Sequence, residues 1–138
     1  MKIRDIMTRD IGYTTAEETI EQAAGKMKEL NVGDVPVVVG GEAVGMLTDR
    51  DITIRIAALG LDPQKTHVSD AMTEGIVACR EDEDVEVAAR LMAEKQVRRL
   101  LVIEDGSKLA GVVSLGDLAT SVDQELVGDV LKKISLPA

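Results

Sequence analysis

Aromatic side chains are almost absent from this chain, which has no Trp, no Phe and a single Tyr, Tyr13. A core without rings must be filled by Val, Ile, Leu, Ala and Met, and a site for a planar base must use aliphatic walls and backbone instead of stacking. Single-stranded nucleic-acid binding, which leans on aromatic platforms, is therefore disfavoured. Basic charge is also scarce: 16 Lys and Arg stand against 25 Asp and Glu, for a formal net charge of −9. Binders of duplexes or anionic membranes present at least one basic face, so neither a nucleic acid nor a membrane is expected as partner. Cys79 is the only cysteine, which excludes an intramolecular disulfide and leaves a small buried apolar residue as its reading. The only histidine, His67, has no second His or Cys at ligand spacing and reads as a solvated linker residue. No apolar run approaches the roughly 20 residues of a membrane span. The opening Met1-Lys2-Ile3-Arg4-Asp5 lacks the apolar region of a signal peptide, and a soluble, cytoplasmic protein is the expectation.

What is present is a repetition. Gly45-Met46-Leu47-Thr48-Asp49-Arg50-Asp51 returns 66 residues later as Gly111-Val112-Val113-Ser114-Leu115-Gly116-Asp117. Both copies read as a strand end running into a helix, with Thr48 or Ser114 at the N-cap and Asp51 or Asp117 three residues on. A helix start of this kind can hold a phosphate or a sugar: unpaired N–H groups and the hydroxyl face the anion, and the carboxylate accepts from a ribose diol. The same spacing is also a capping box, which needs no ligand.

The rest of the chain repeats in the same order. Residues 3–8 predict a short helical turn and Ile11-Gly12-Tyr13-Thr14 a brief strand. Thr19, with Gln22 three residues on, caps a helix whose buried face is Ile20, Ala23, Ala24, Met27 and Leu30. Val35–Val39 and Ala43–Leu47 flank Gly40-Gly41-Glu42 as a hairpin, leading into a helix from Asp49 to Leu59 ended by Gly60. After the turn-rich residues 60–67, the segment 68–73 matches 3–8 at an offset of 65, and Ile76-Val77-Ala78 matches the first strand. Val85, Ala88, Ala89 and Met92 match the helix face, with Asp84 in the cap position. A second hairpin joins Leu100–Ile103 to Leu109–Val113. One extra residue in its loop shifts the offset to 66, as an insertion in a surface hairpin should. Beyond about Ser121 the repeat ends, and Val122, Leu126, Val127, Val130, Leu131 and Ile134 keep the spacing of a last amphipathic helix, able to close the core or to reach a second chain.

A repeated Asp-x-Met-Thr opening, an Ala-Ala-x-x-Met helix face and a Gly-hydrophobic-hydrophobic-Ser/Thr-x-x-Asp ending resemble a tandem pair of CBS domains, the cystathionine-β-synthase-type module. The resemblance runs from Ile3 to about Ser121 and is closest in kind to small stand-alone CBS-pair proteins of bacteria and archaea. It implies an α/β (α+β) fold of two β-α-β-β-α motifs, residues 1–62 and 63–121, packed as a pseudo-two-fold pair in one compact domain, with a C-terminal helix over 122–138. It also implies a regulatory or sensor module whose clefts take AMP, ADP, ATP or S-adenosylmethionine, and usually a homodimer. Carried over by position, Asp51 and Asp117 would accept from ribose hydroxyls, and Thr48 and Ser114 would bind phosphate or ribose oxygens. The base would lie near Ile11 and Tyr13 in one cleft and near Ile76 and Val77 in the other, bordered by Val35 and Leu100.

The copies differ in charge. Where the first has Gly33-Asp34-Val35-Pro36, the second has Arg98-Arg99-Leu100-Leu101, and Arg50 has Gly116 as its counterpart. A guanidinium binds phosphate bidentately, so Arg98 and Arg99 are the phosphate candidates, with Arg50 a further cation in the first motif. Solvated charges or ion pairs are the other reading. One stronger and one weaker site are expected. No nucleophile with a base, carboxylate pair in a pocket or metal-spaced set stands out, so neither an enzyme nor a catalytic cofactor is expected. A ligand-free dimeric scaffold fits every feature except the two hydroxyl and aspartate pairs. A sensor would pass its change to an effector protein.

Overall fold

The computed structural model describes residues 1–121 and 123–137. Over the described residues it is a mixed α/β structure with two sheets and five α-helices. The chain forms two units, a first of Gly12–Ile76 and a second that combines Met1–Ile11 with Val77–Ala138. The units therefore cut across the sequence repeat. The opening turn of each repeat belongs to the unit that carries the other repeat's hairpin.

In the first unit, β1 (Thr14–Thr15) is followed by α1 (Ile20–Leu30), β2 (Asp34–Val39) and β3 (Glu42–Thr48). Thr19 Oγ1 accepts the Gln22 N–H at 3.2 Å and Gln22 Oε1 accepts the Thr19 N–H at 2.9 Å, the reciprocal cap that the spacing predicts. Asn31 closes the helix at φ 55°, a left-handed C-cap that asparagine tolerates well. β1 runs parallel to β2, with α1 as the crossover, and β2 pairs antiparallel with β3. Helix α2 (Asp49–Ile52) follows β3 and continues as a π-helical turn, Thr53–Ala57, where the sequence predicts one regular helix to Leu59. Beyond the linker, a 3-10 turn (Val68–Asp70) leads to β4 (Thr73–Glu74), which pairs antiparallel with β3 and completes the order β1-β2-β3-β4. The core is aliphatic: Ile20, Ala23 and Met27 from α1, Val35, Val37 and Leu47 from the sheet, and Ile56, Val68 and Ala71.

The second unit repeats this plan. β5 (Ala78–Arg80) runs parallel to β6 (Arg99–Ile103) across α3 (Val85–Lys95), and β6 pairs antiparallel with β7 (Leu109–Ser114). A 3-10 turn at Asp105–Ser107 takes up the extra hairpin residue. At the outer edge Thr8 bridges Val112, its N–H donating to Val112 O at 2.9 Å and the Val112 N–H to Thr8 O at 3.0 Å. This is the counterpart of β4 against β3. Asp84 stands before α3 but its carboxylate caps no N–H. Instead it pairs with Lys2 Nζ at 3.0 Å, and that hydrogen bond holds its carboxyl below the usual range.

Helix α4 (Leu115–Ser121) and the last helix, α5 (Gln124–Ile134), cover the same core. Val130 is buried there and Leu126, Val127 and Ile134 pack against it, so α5 closes this unit's core, while Leu131 stays exposed. Val122, which the spacing places on this helix, lies outside the described residues. Gln96 Nε2 ties the end of α3 to Lys133 O and Leu136 O at 3.0 and 3.2 Å. Cys79 is buried, and burial pushes its thiol up to about 12, so it remains a neutral apolar residue. His67 is exposed and precedes the Val68–Asp70 turn.

Candidate functional site

Each unit builds one strand-to-helix corner. In the first, Thr48 is extended at φ −114° and ψ 161°, so its side chain turns back over the start of α2. Its Oγ1 accepts the Asp51 N–H at 3.0 Å, and Asp51 Oδ2 accepts the Thr48 N–H at 3.0 Å. Asp51 is only 9% exposed, and its other oxygen, Oδ1, takes a long contact of 3.4 Å from the Thr73 hydroxyl on β4. In the second unit the Ser114 N–H donates to Asp117 Oδ2 at 2.8 Å and the Asp117 N–H to Ser114 Oγ at 3.1 Å. Among the described residues Asp117 Oδ1 has no hydrogen-bond partner. Both corners are thus capping boxes that leave one carboxylate oxygen, Oδ1, outside the cap.

The glycine that opens each motif has a steric cause. A Cβ on Gly45 would stand 2.4 Å from Thr73 O, and one on Gly111 would stand 2.3 Å from Thr8 O. Only glycine lets the incoming edge segment lie against the strand at this distance. Those segments bring Thr73 beside the first corner and Thr8 beside the second unit's sheet, and a motif reading of the corners alone misses both threonines. Their recurrence at an offset of 65, one short of the motif's 66, is the available signal.

The expected site residues divide between the units. Tyr13, Val35, Thr48, Arg50, Asp51 and Ile76 belong to the first, whereas Ile11, Val77, Arg98, Arg99, Leu100, Ser114 and Asp117 belong to the second. Val35 and Leu100 are buried core residues at the strand starts, and Ile11, Ile76 and Val77 are half-buried. Tyr13 is 48% exposed. Lys26 Nζ lies 5.7 Å from its ring centroid, donates to Tyr13 O at 3.0 Å and pairs with Glu18 at 2.8 Å. Burial would raise the Glu18 carboxyl, but the Lys26 and Thr15 hydrogen bonds outweigh it and hold it below the usual range.

Charge distinguishes the two corners. Arg98 O accepts the Leu115 N–H at 2.8 Å, which fixes Arg98 at the helix start, and Arg99 pairs in register with Ser114. In the first unit Gly33 O accepts the Asp49 N–H at 2.8 Å and Asp34 pairs with Thr48. A Cβ at Gly33 would stand 2.9 Å from Asp49 Oδ2, so a counterpart of Arg98 here would require the exposed Asp49 side chain to turn aside. Arg50 is exposed on α2. Among the described residues no group of three His, Cys, Asp or Glu could hold a metal ion, and no helix is long and apolar enough to cross a membrane.

The model of the CBS domain matches residues 3–58 and 68–124. The chain belongs to the CBS domain family. The CBS domain-containing protein YhcV of Bacillus subtilis (strain 168) is 42% identical over 134 residues, which are 96% of this chain and 94% of that protein. Among solved structures, CBSX2 in complex with AMP is 25% identical, with a TM-score of 0.75 over 87% of this chain and 94% of that one. The CBS domain pair of protein MJ0100 in complex with 5-methylthioadenosine and S-adenosyl-L-methionine is also 25% identical, with a TM-score of 0.70 and the same coverage. CBS-pair proteins are regulatory, and the two solved neighbours carry adenosine compounds.

Proposed function

We propose that this chain is a regulatory module that binds an adenosine-containing ligand and passes the change to an effector protein. The observation that carries this reading is the pair of buried or half-buried carboxylates, Asp51 and Asp117, each locked in a cap through Oδ2 with Oδ1 outside it. A ribose diol needs such an acceptor at a fixed place, and the CBS-pair neighbours solved with AMP and with S-adenosylmethionine support the ligand class. The protein acts without catalysis, in the cytoplasm and as a homodimer. A ligand that favours one conformation shifts the population that the effector reads. A second reading, a ligand-free dimeric scaffold, draws on the caps themselves, whose hydrogen bonds are complete without a ligand.

Thermal unfolding separates the two readings. A ligand at about 100 times its dissociation constant stabilises by about 2.7 kcal/mol, which raises the midpoint by several degrees at this chain length. We expect such a shift with at least one of AMP, ADP, ATP and S-adenosylmethionine, and expect it to vanish when Asp51→Ala and Asp117→Ala are combined. No shift with any of the four favours the scaffold over the sensor.

The charge difference supports a stronger phosphate site at the Ser114–Asp117 corner, with Arg98 and Arg99 as its cations, and a weaker one at the Thr48–Asp51 corner. Replacing both arginines by Ala is expected to weaken ATP about tenfold more than adenosine, the scale of one charge-assisted hydrogen bond. Calorimetric titration of the two ligands checks this, and equal losses remove the phosphate role.

A further inference from the structure

Arg55 does something that neither the motif nor the family match assigns. It lies in the π-helical turn Thr53–Ala57, and its Nη1 donates to two successive carbonyls, Ala71 O and Met72 O, both at 3.0 Å. The next residue is Thr73, whose hydroxyl meets Asp51 Oδ1 and whose backbone pairs with Met46 on β3. A π turn places one extra residue in the helical circuit and persists where that register serves a purpose. Here the shifted turn carries the guanidinium to the segment that borders Asp51. The second repeat has neither part of this device: α4 is α-helical from Leu115 to Ser121, and Ser121 stands at the position equivalent to Arg55.

We infer that Arg55 is a positioning residue for the Thr48–Asp51 corner, clamping Ala71–Thr73 so that the Thr73 hydroxyl and the Asp51 carboxylate form one fixed pair that reads a ribose. The inference rests on the adenosine reading above. A threonine hydroxyl that donates to a carboxylate still has lone pairs, so it can accept from one sugar hydroxyl while Asp51 Oδ1 accepts from its neighbour. Two carbonyls held by one cation set where that hydroxyl stands, and the charge makes each bond stronger than a neutral one. Loss of the clamp costs the pair its geometry. It leaves the capping hydrogen bonds of Thr48 and Asp51 in place.

The test uses the full chain with one corner silenced at a time and calorimetric titration of AMP and 2′-deoxy-AMP. In the Asp117→Ala background, Arg55→Ala is expected to weaken AMP about tenfold and 2′-deoxy-AMP about twofold, compressing the discrimination between them, and Arg55→Lys is expected to restore most of it. In the Asp51→Ala background the same Arg55→Ala change is expected to leave AMP affinity unaltered. Equal losses for the two nucleotides, or a similar loss in the Asp51→Ala background, would mean general destabilisation and overturn the inference. AMP that binds the Asp51→Ala chain but not the Asp117→Ala chain overturns the Arg55 role alone. AMP that binds neither overturns the adenosine reading with it.

Discussion

Gly111→Ala is expected to lower the stability of the chain by more than about 3 kcal/mol, well above the usual surface substitution. The added Cβ would stand 2.3 Å from Thr8 O and 3.2 Å from Thr8 C, and backbone cannot rotate away as the tip of a side chain can. The edge segment must therefore leave the strand. Its two hydrogen bonds with Val112 go with it, and Ile3, which is fully buried in the second unit's core, loses its seat. Gly45→Ala should behave alike, since its Cβ would stand 2.4 Å from Thr73 O. Gly128→Ala is the matched control. It lies inside α5 with nothing within 4 Å of its Cβ, so relief of the glycine penalty should stabilise by about 0.5–1 kcal/mol. Urea unfolding of the three variants measures all of this, and a Gly111→Ala chain as stable as the parent would remove the steric account of the motif glycine.

Leu118→Ala is expected to cost about 2–5 kcal/mol, the range for a buried leucine that leaves a cavity. Leu118 is fully buried on α4, one residue after Asp117, and it anchors the helix that carries the second corner. Its counterpart at the 66-residue offset is Ile52, which is only half-buried beside the first core. Ile52→Ala should accordingly cost clearly less. A ligand readout adds a second prediction of direction: with its helix loosened, the Leu118→Ala chain should lose ligand-induced stabilisation from the Ser114–Asp117 corner even where the fold persists. Equal costs for the two substitutions would mean that burial does not distinguish the two helices.

Most of the local structure could be read from residues because it depends on near neighbours. The Thr19 and Gln22 cap, both hairpins with their turn residues, and the Thr48–Asp51 and Ser114–Asp117 boxes are set by spacings of a few positions. Their side chains meet as those spacings require. The pairing of Thr73 with Met46 and of Thr8 with Val112 was not legible in the same way. A two-residue strand has no period to detect, and residues 3–8 read as a helical turn, which Ile3–Asp5 indeed form before the bridge begins. The π turn was invisible for a related reason: Thr-Ile-Arg-Ile-Ala satisfies helical spacing whether each turn holds the usual number of residues or one more. Asp84 shows the limit of cap statistics. The residue stands where a cap should, and a lysine from the chain's opening takes its carboxylate instead.

The crossed assignment of the opening segment has a consequence for biosynthesis. Residues 12–76 are made consecutively, so the first sheet can close as soon as Thr73 follows Met46 out of the ribosome. Residues 1–11 leave before them, yet Thr8 has no strand to join until Val112 has been made 104 residues later. At typical elongation rates that is a wait of roughly 5–20 s. Closing so long a loop costs little more free energy than closing a short one, but it orders events: the second sheet is completed by residues made before the first sheet. A nascent chain arrested before residue 112 would thus present Ile3 unburied to chaperones.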